Sequence, residues 1–357
     1  MTRKEIVDSR GDELTERERR VLEAVVRTYV DTAEPAGSRT VARRSELGVS
    51  PATIRNTMAD LEEKGYLDSP HASSGRIPTD LAYRFFVDQL IRPASLTREQ
   101  EERVARELEG VMSGVERLVR RAARALSVFS LELGVAMAPR LEEAVLEKLD
   151  LVQASSTTAL LVATIRSGVV RTLYIDLPSE LPADALGKVA MTLNERLAGL
   201  TLREIRETLP QRLRDARADD EFADELLNIF MQSGSNLFDW PDLTSTEVTL
   251  GQTSVLASQP EFTTGERLKG LIELTEQREL LAAVLGEREH PGGIRITIGD
   301  EHEPRELAGF TLVTAEYRAG GLKGVVGVIG PTRMEYEKVI AIVDYTSSIV
   351  NRILKAR

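Results

Sequence analysis

The chain of 357 residues is long enough for two or three domains, each with its own hydrophobic core. Its composition, 42% hydrophobic and 29% charged, is typical of a globular protein, and the absence of cysteine excludes disulfides, thiolate catalysis and cysteine-ligated zinc. No apolar run approaches the roughly 20 residues of a membrane helix, and the polar first residues do not resemble a secretory signal, so we expect a cytoplasmic protein.

The net charge of −11 argues against a nucleic-acid-binding protein, but the acidic residues are unevenly distributed. Residues 1–92 contain 15 Lys and Arg against 16 Asp and Glu, a net charge of −1. Residues 93–357 therefore carry the remaining −10. The N-terminal quarter of the chain is thus still compatible with an anionic partner.

The first predicted helix follows Thr15, because Thr15 and Glu18 have the spacing of a capping box. Gly37 to Arg76 then predicts a short helix, a turn, a second helix and a hairpin. We expect Ser38 to cap the shorter helix and Ser50 to cap the longer one. This order of elements is typical of a winged helix-turn-helix.

The second helix of this motif has two different faces. Ile54, Met58 and Leu61 share one side and should pack inward, whereas the other side carries small or hydrogen-bonding residues that can approach base edges. Between residues 35 and 58 there are four arginines and one acid, which favours phosphate contact over the alternative of a trihelical fold used only for protein contacts. The predicted DNA-binding residues are Arg39, Thr40, Ser50, Ala52, Thr53, Arg55, Asn56, His71, Ser74 and Arg76.

These residues have different expected roles. Ser50, Thr53, Arg55 and Asn56 should contact bases and phosphates, and Arg39 with Thr40 should hold the DNA backbone. In the hairpin, Arg76 and His71 should reach the flanking groove. For His71, a solvated hairpin residue is an equally good interpretation.

Thr79 can cap a helix that carries three aromatic residues, Tyr83, Phe85 and Phe86. We interpret them as core residues of the N-terminal domain, with docking onto a neighbouring domain or subunit as the alternative. Residues 93–96 look like a linker.

After the linker, the capping box of Thr97 and Gln100 and a heptad-like spacing predict one long helix to about Ser130. This helix either packs on a sheet, which we favour, or pairs two subunits.

The sequence beyond the long helix predicts strands at residues 159–165, 169–175, 294–298, 310–317 and 325–329, and a final helix that opens at Pro331. Strands, a long break and more strands suggest one sheet domain with an insertion.

Two long motifs resemble one protein family. HASSGRIPTDLAYRFFVDQL, at residues 71–90, is similar to the wing region of the heat-inducible transcription repressors called HrcA. GVVGVIGPTRMEYEKVIAIVDY, at residues 324–345, is similar to the C-terminal end of the same family. Pro70 before His71, and Ala82 where many relatives have glycine, are small departures.

The resemblance implies an α+β multidomain protein with an N-terminal winged helix-turn-helix and a GAF-like α/β sheet domain interrupted by an inserted dimerisation domain. A change in the pattern of the sequence, at about residues 211 and 286, sets the boundaries of the insertion. The predicted division is 1–92 for the DNA-binding domain, 93–96 for the linker, 97–210 and 287–357 for the GAF-like domain, and 211–286 for the insertion.

The resemblance further implies a homodimeric repressor of chaperone operons that binds the CIRCE inverted repeat in double-stranded DNA. It also implies that a GroEL-type chaperonin keeps the repressor active and that heat stress removes this activity. A dimer is expected on physical grounds as well, because one recognition helix reads only a few base pairs.

Enzymatic chemistry is not indicated. His71, His290 and His302 fit no metal or triad spacing, so we expect no enzyme activity, no metal and no cofactor. Glycines recur every third position from Gly321 to Gly330, but no Gly-Lys-Ser/Thr follows, which excludes a P-loop. The Pro-Thr-Arg-Met run at residues 331–334 could still bind an anion at a helix start. A GAF-domain transcription regulator that senses a small molecule is therefore the alternative function.

Overall fold

A computed structural model gives the fold. It describes residues 14–71, 74–91, 94–109, 115–139, 141–166, 170–177, 183–214, 224–230, 248–287, 293–319 and 322–355. Of the features singled out above, Pro93, His290 and Gly321 lie outside the described residues.

The N-terminal unit, residues 14–91, is a group of helices followed by a small antiparallel sheet. Thr15 and Glu18 form the predicted capping box at the start of the first helix, and Thr79 caps the last one. A π-helical turn, Phe86–Leu90, continues that last helix. The elements are α1 (Glu16–Thr32), α2 (Ser38–Arg44), α3 (Pro51–Glu63), β1 (Leu67–Asp68), β2 (Ile77–Pro78) and α4 (Asp80–Phe85).

A five-stranded antiparallel sheet forms the centre of the remaining chain, with strand order β7-β3-β10-β9-β8. Its strands come from distant parts of the sequence, because β3 pairs with β10 on one side and with β7 on the other. The strands are β3 (Leu133–Met137), β7 (Val248–Leu250), β8 (Ile294–Ile298), β9 (Phe310–Ala319) and β10 (Leu322–Pro331).

Helices cover both faces of this sheet. On one face lie α5 (Arg98–Leu108), α6 (Val115–Ser130) and α13 (Tyr336–Lys355), in a core that continues into the N-terminal unit. On the other face lie α10 (Thr253–Ala257), α11 (Gly265–Glu276) and α12 (Arg278–Gly286). Successive residues of a strand point to opposite faces, so Val325 and Val326 on β10 belong to two different cores.

The packing of α6 on the sheet confirms the interpretation that we favoured for this region. Gly134 on β3 marks the closest approach, since a Cβ there would lie 1.9 Å from the carbonyl oxygen of Ala123 on α6. The hydroxyl of Ser127 accepts hydrogen bonds from the N–H groups of Gly134 (2.7 Å) and Gln252 (3.0 Å). The helix is thereby fixed against β3 and against the segment that joins β7 to α10.

The prediction of one long helix from Thr97 to Ser130 is wrong. The capping box of Thr97 and Gln100 is present, but Glu109 has extended dihedral angles (φ −69°, ψ 155°) and ends α5. The sequence places Gly110 directly after this point, and glycine is a poor helix former.

A separate sheet of three antiparallel strands accounts for the next part of the chain, and in the described residues it is not paired with the five-stranded sheet. One of its faces packs on helices and forms a second core, which extends from Ala144 to Phe230 and also includes Leu322 at the start of β10. Its elements are β4 (Leu146–Ser155), β5 (Thr158–Ile165), β6 (Val170–Asp176), α7 (Ala183–Leu197), α8 (Leu202–Leu213) and α9 (residues 224–230). We call this part the three-stranded unit.

This topology corrects the prediction that all strands share one sheet. The strands predicted at 159–165 and 169–175 exist, but they belong to the three-stranded unit. In contrast, β7 and α10 to α12 lie inside the predicted insertion of 211–286 and pack on the five-stranded sheet. Periodicity predicts strands but not their partners, which explains the error.

The start of the last helix also differs from the prediction. Pro331 is the final residue of β10, where it pairs with Phe310, and α13 begins at Tyr336. None of the described helices is long and apolar enough to cross a membrane.

Candidate nucleic-acid interface

The α2–α3 pair presents most of the predicted DNA-binding residues. Ser50 caps α3 as predicted, since its hydroxyl accepts a hydrogen bond from the N–H of Thr53 (3.2 Å), and Pro51 follows at the first position. The predicted cap at Ser38 is wrong: the extended residue before α2 is Gly37, and Ser38 is already helical. Between the helices, Gly48 has φ +70° and makes the turn.

The helix α3 is buried on one side and exposed on the other, as its sequence predicts. Ile54, Met58 and Leu61 are in the core of the N-terminal unit. Ala52, Arg55 and Asn56 are exposed, while the Thr53 hydroxyl lies 3.0 Å from the Ser50 hydroxyl. The first two turns of α3 therefore offer solvent a set of small, polar and cationic side chains.

The charges on this surface are not neutralised locally. Arg39, Arg43 and Arg55 are exposed, and no other residue in the described part of the chain forms a hydrogen bond or ion pair with them. Arg44, in contrast, is paired with Asp31 (2.7 Å). Arg43 was not among the predicted site residues, although the local excess of arginine indicates it. Thr40 is partly buried beside Arg39 on α2.

The hairpin between β1 and β2 leans on the segment that precedes α2. Arg76 and Ala36 exchange two backbone hydrogen bonds (2.8 and 3.0 Å). Gly75 makes this approach possible, because a Cβ there would lie 2.5 Å from the carbonyl oxygen of Pro35. The Ser74 hydroxyl donates to the His71 carbonyl (2.7 Å) and closes the turn, which leaves the His71 side chain exposed.

Arg76 is partly buried and paired rather than free in solvent. Its guanidinium forms an ion pair with Glu62 on α3 (2.8 Å) and donates to the Ser69 hydroxyl (3.0 Å). In this arrangement Arg76 links the hairpin to α3. Any contact of Arg76 with a phosphate has to compete with the Glu62 carboxylate.

A second link holds the same C-terminal end of α3, to α1. Lys64, at the end of α3, forms an ion pair with the buried Glu18 of α1 (2.8 Å). The other carboxylate oxygen of Glu18 accepts hydrogen bonds from the N–H (2.7 Å) and hydroxyl (2.8 Å) of Thr15. Burial raises the pKa of Glu18, but the bonds from Lys64 and Thr15 outweigh it and hold the pKa below its ordinary value.

The fold and this surface define a multidomain α+β protein, in which the exposed cationic surface formed by α2 and the start of α3 is a candidate nucleic-acid interface. The chain matches the model of the HrcA protein C terminal domain over residues 116–340. It is 37% identical to the heat-inducible transcription repressor HrcA of Chlorobium chlorochromatii, over 96% of this chain and 98% of that relative. The HrcA of Pelotomaculum thermopropionicum is 35% identical over 96% of this chain and 97% of its own length.

A solved structure has the same fold. A crystal structure of a hypothetical protein aligns with a TM-score of 0.65 and 21% identity, and covers 96% of this chain and 99% of that one. The matches in sequence extend over nearly the whole chain and establish the family. The chain belongs to the HrcA family.

We predict that Glu18→Gln lowers the free energy of unfolding by about 1–2 kcal/mol at neutral pH, because it weakens both the capping box and the bond to Lys64. A pKa below 4.5 in the folded state means that this stabilisation is complete above pH 4.5 and is lost as the pH falls through the lower value. Urea unfolding at several pH values measures it, with Glu16→Gln on the exposed side of α1 as control. A stability difference that does not change with pH would contradict the prediction.

Proposed function

We propose that this protein is a heat-inducible transcription repressor that binds double-stranded DNA as a homodimer through a winged helix-turn-helix. Family membership supports the repressor class, since the curated relatives carry that name. The observation that carries the DNA-binding part is the exposed start of α3, with Arg39, Arg43 and Arg55 unneutralised around it.

The proposed contacts follow from this geometry. α3 has its N-terminal turns exposed, so it can enter the major groove with Ala52, Arg55 and Asn56 facing the base edges. Arg39 and Arg43 on α2 are then free to contact phosphates on the same side. Ser50 and Thr53 are engaged in capping, and we propose that they contact DNA only at the helix start, where a phosphate is favoured by the helix dipole.

In the hairpin, we propose that His71 is the residue best placed to reach a flanking groove, because its side chain is exposed. Ser74 contributes mainly by closing the turn. Arg76 acts mainly by fixing the hairpin to α3 through Glu62, with any phosphate contact secondary to that bond.

We also revise the proposed domain division. The winged-helix domain and linker stay near the predicted 1–92 and 93–96. The five-stranded sheet, which we propose to be the GAF-like domain, is interrupted by the three-stranded unit at about residues 144–230, so the insertion does not extend to 286.

The open face of the three-stranded unit supports a dimer. Backbone pairing aligns Val152, Leu160 and Tyr174 in one row across the sheet, on the side away from its core. Val152 is 52% exposed, Tyr174 74% and Val170 at the same face 55%. Apolar side chains grouped in this way are typical of an interface between proteins. We propose that this face pairs two subunits.

The remaining parts of the proposal rest on the family resemblance alone. They are the CIRCE inverted repeat as the operator, chaperone operons as the targets and the GroEL-type chaperonin as the partner that keeps the repressor active. An inverted repeat matches a two-fold dimer physically, because each subunit can then present α3 to an identical half-site.

The main test is fluorescence anisotropy of the purified protein with a CIRCE-type inverted repeat, a single half-site and a scrambled duplex, across a salt series. We expect binding to the full repeat about 1,000-fold or more tighter than to the scrambled duplex, with affinity falling steeply as salt rises. Equal weak binding to all three duplexes, unchanged by added chaperonin, would contradict the proposed function.

Arg55 and Arg76 should behave differently when each is replaced by alanine. Arg55→Ala removes an unpaired surface cation, so we expect about tenfold weaker DNA binding with unchanged urea unfolding. Arg76→Ala breaks the bond to Glu62 and should lower the stability by about 1 kcal/mol as well. Arg98→Ala, at a highly exposed residue of α5, is the control for a lost positive charge. Unchanged DNA affinity for Arg55→Ala would remove α3 from the proposed interface.

Tyr174→Glu should weaken the dimer by about tenfold or more, because it places a charge in the row of exposed apolar side chains. Sedimentation equilibrium measures the dimer dissociation constant. Met191→Glu is the matched control, since Met191 is an exposed apolar residue on α7 of the same unit. A dimer that is equally stable in both variants would exclude this face as the subunit interface.

A further inference from the structure

Arg333 connects three parts of the protein that are far apart in sequence. It lies between β10 and α13, and its side chain is mostly buried. One amino group of its guanidinium donates to the carbonyl of Val30 on α1 (2.7 Å). The rest of the guanidinium makes a two-pronged ion pair with Glu261, including one bond of 2.9 Å.

The Val30 carbonyl lies in the last turn of α1 and lacks its usual helical hydrogen-bond donor. In a continuing helix it would accept from the N–H of Glu34, but that N–H donates to the Thr32 hydroxyl instead (3.3 Å). The last turn of α1 contains no basic residue of its own. Arg333 therefore supplies both a hydrogen-bond donor and a positive charge where the helix dipole is negative.

Glu261 ties this contact to the part of the chain that follows α10 and packs on the five-stranded sheet. It lies in the short helical turn Pro260–Phe262, and the adjacent Gln259 donates to the carbonyl of Leu131 (2.7 Å) and to the buried carboxyl of Glu132 (3.0 Å). Burial raises the pKa of Glu132 well above its ordinary value. The turn is therefore fixed to the end of α6 and the start of β3.

Two further contacts join the N-terminal unit to the first turn of α13. Arg27 on α1 forms an ion pair with Glu337 in the first turn of α13 (2.7 Å). The rings of Tyr83 and Tyr336 meet with their centroids 5.8 Å apart. Tyr83 therefore docks on the neighbouring sheet unit, whereas Phe85 packs against Tyr66 within the N-terminal unit (5.6 Å).

We propose that Arg333 is a positioning residue for DNA binding: it fixes the direction of α1 relative to the five-stranded sheet, through its own bond to Val30 and through Glu261 in the turn Pro260–Phe262, which packs on that sheet. This inference rests on the proposed function, because it concerns how two copies of α3 are held for one operator. α1 packs against α3, so the direction of α1 sets the direction of α3.

The consequence is specific to paired half-sites. A single half-site needs only a folded N-terminal unit, and neither the buried apolar residues of that unit nor the Glu18–Lys64 bond involves Arg333. A full inverted repeat needs the N-terminal units of both subunits at a fixed distance and orientation. If these units move freely, the effective concentration of the second unit at its half-site falls, and binding to the full repeat weakens. Arg333→Ala should therefore weaken binding to the full repeat by about tenfold and change half-site binding by less than about twofold.

The first measurement needs no DNA. The natural chain contains no cysteine, so spin labels can be placed at Asp60→Cys on α3 and Ser348→Cys on α13, both exposed positions. An excess of unlabelled protein restricts the measured distances to one subunit. Double electron–electron resonance should give a narrow distance distribution for the otherwise unchanged protein and for the Arg98→Ala control, and a broad one for Arg333→Ala.

Anisotropy with the full repeat and the half-site completes the test. Glu261→Gln keeps the shape of the side chain but removes its charge, and it should also broaden the distance distribution. This second variant keeps the test valid if Arg333→Ala fails to fold. Narrow distances in both variants, or equal weakening on both duplexes, would overturn the positioning role. Absence of DNA binding in the unmodified protein, together with broadened distances in the variants, would instead count against the proposed function and leave the contact itself supported.

Discussion

The packing of α13 against both the five-stranded sheet and the N-terminal helices is the constraint on which the arrangement of the whole chain depends. Tyr336 at its first turn is fully buried, donates to the Thr332 carbonyl (2.7 Å) and lies beside Tyr83. A buried phenol needs such a partner, and burial raises its pKa strongly. One apolar core consequently runs from the N-terminal helices into the sheet.

This continuity explains why polar contacts between the two units matter. Arg84 on α4 pairs with Glu301 and also donates to the Ile296 carbonyl (2.9 Å), while the Asp80 carboxylate accepts from the N–H of Asp300 (2.9 Å). Such bonds fix the orientation of the N-terminal unit on the sheet, because a hydrophobic contact alone is not directional. The N-terminal unit is thus docked on the sheet through both apolar and directional contacts.

The position of the three-stranded unit shows how an insertion can be accommodated in a sheet domain. The chain leaves the five-stranded sheet after β3, forms the three-stranded unit and returns to the sheet at β7. These two strands are direct neighbours, with Val135 opposite Leu250. The ends of the insertion therefore meet at one edge of the five-stranded sheet. Because the entropy of closing a loop grows only slowly with its length, a folded unit can occupy that place at little further cost.

The sequence by itself determined the local structure of the N-terminal unit and the family. Capping at Thr15, Ser50 and Thr79 and the apolar face of α3 depend on residues a few positions apart, so their spacing predicts them directly. Of the exposed arginines of the candidate interface, Arg39 and Arg55 were predicted from local charge in the same way. The long motifs carried the family assignment because they are sequence features themselves.

Only the tertiary structure decided which strands pair and which charges stay free. β3 reads as a continuous apolar run because both of its faces are buried, and it was not predicted for that reason. Arg76 and Arg55 look alike in sequence, yet Glu62 neutralises only the first. The partners of Arg333 lie 303 and 72 residues away, and contacts over such separations are set by the packing of whole units, which no local pattern encodes.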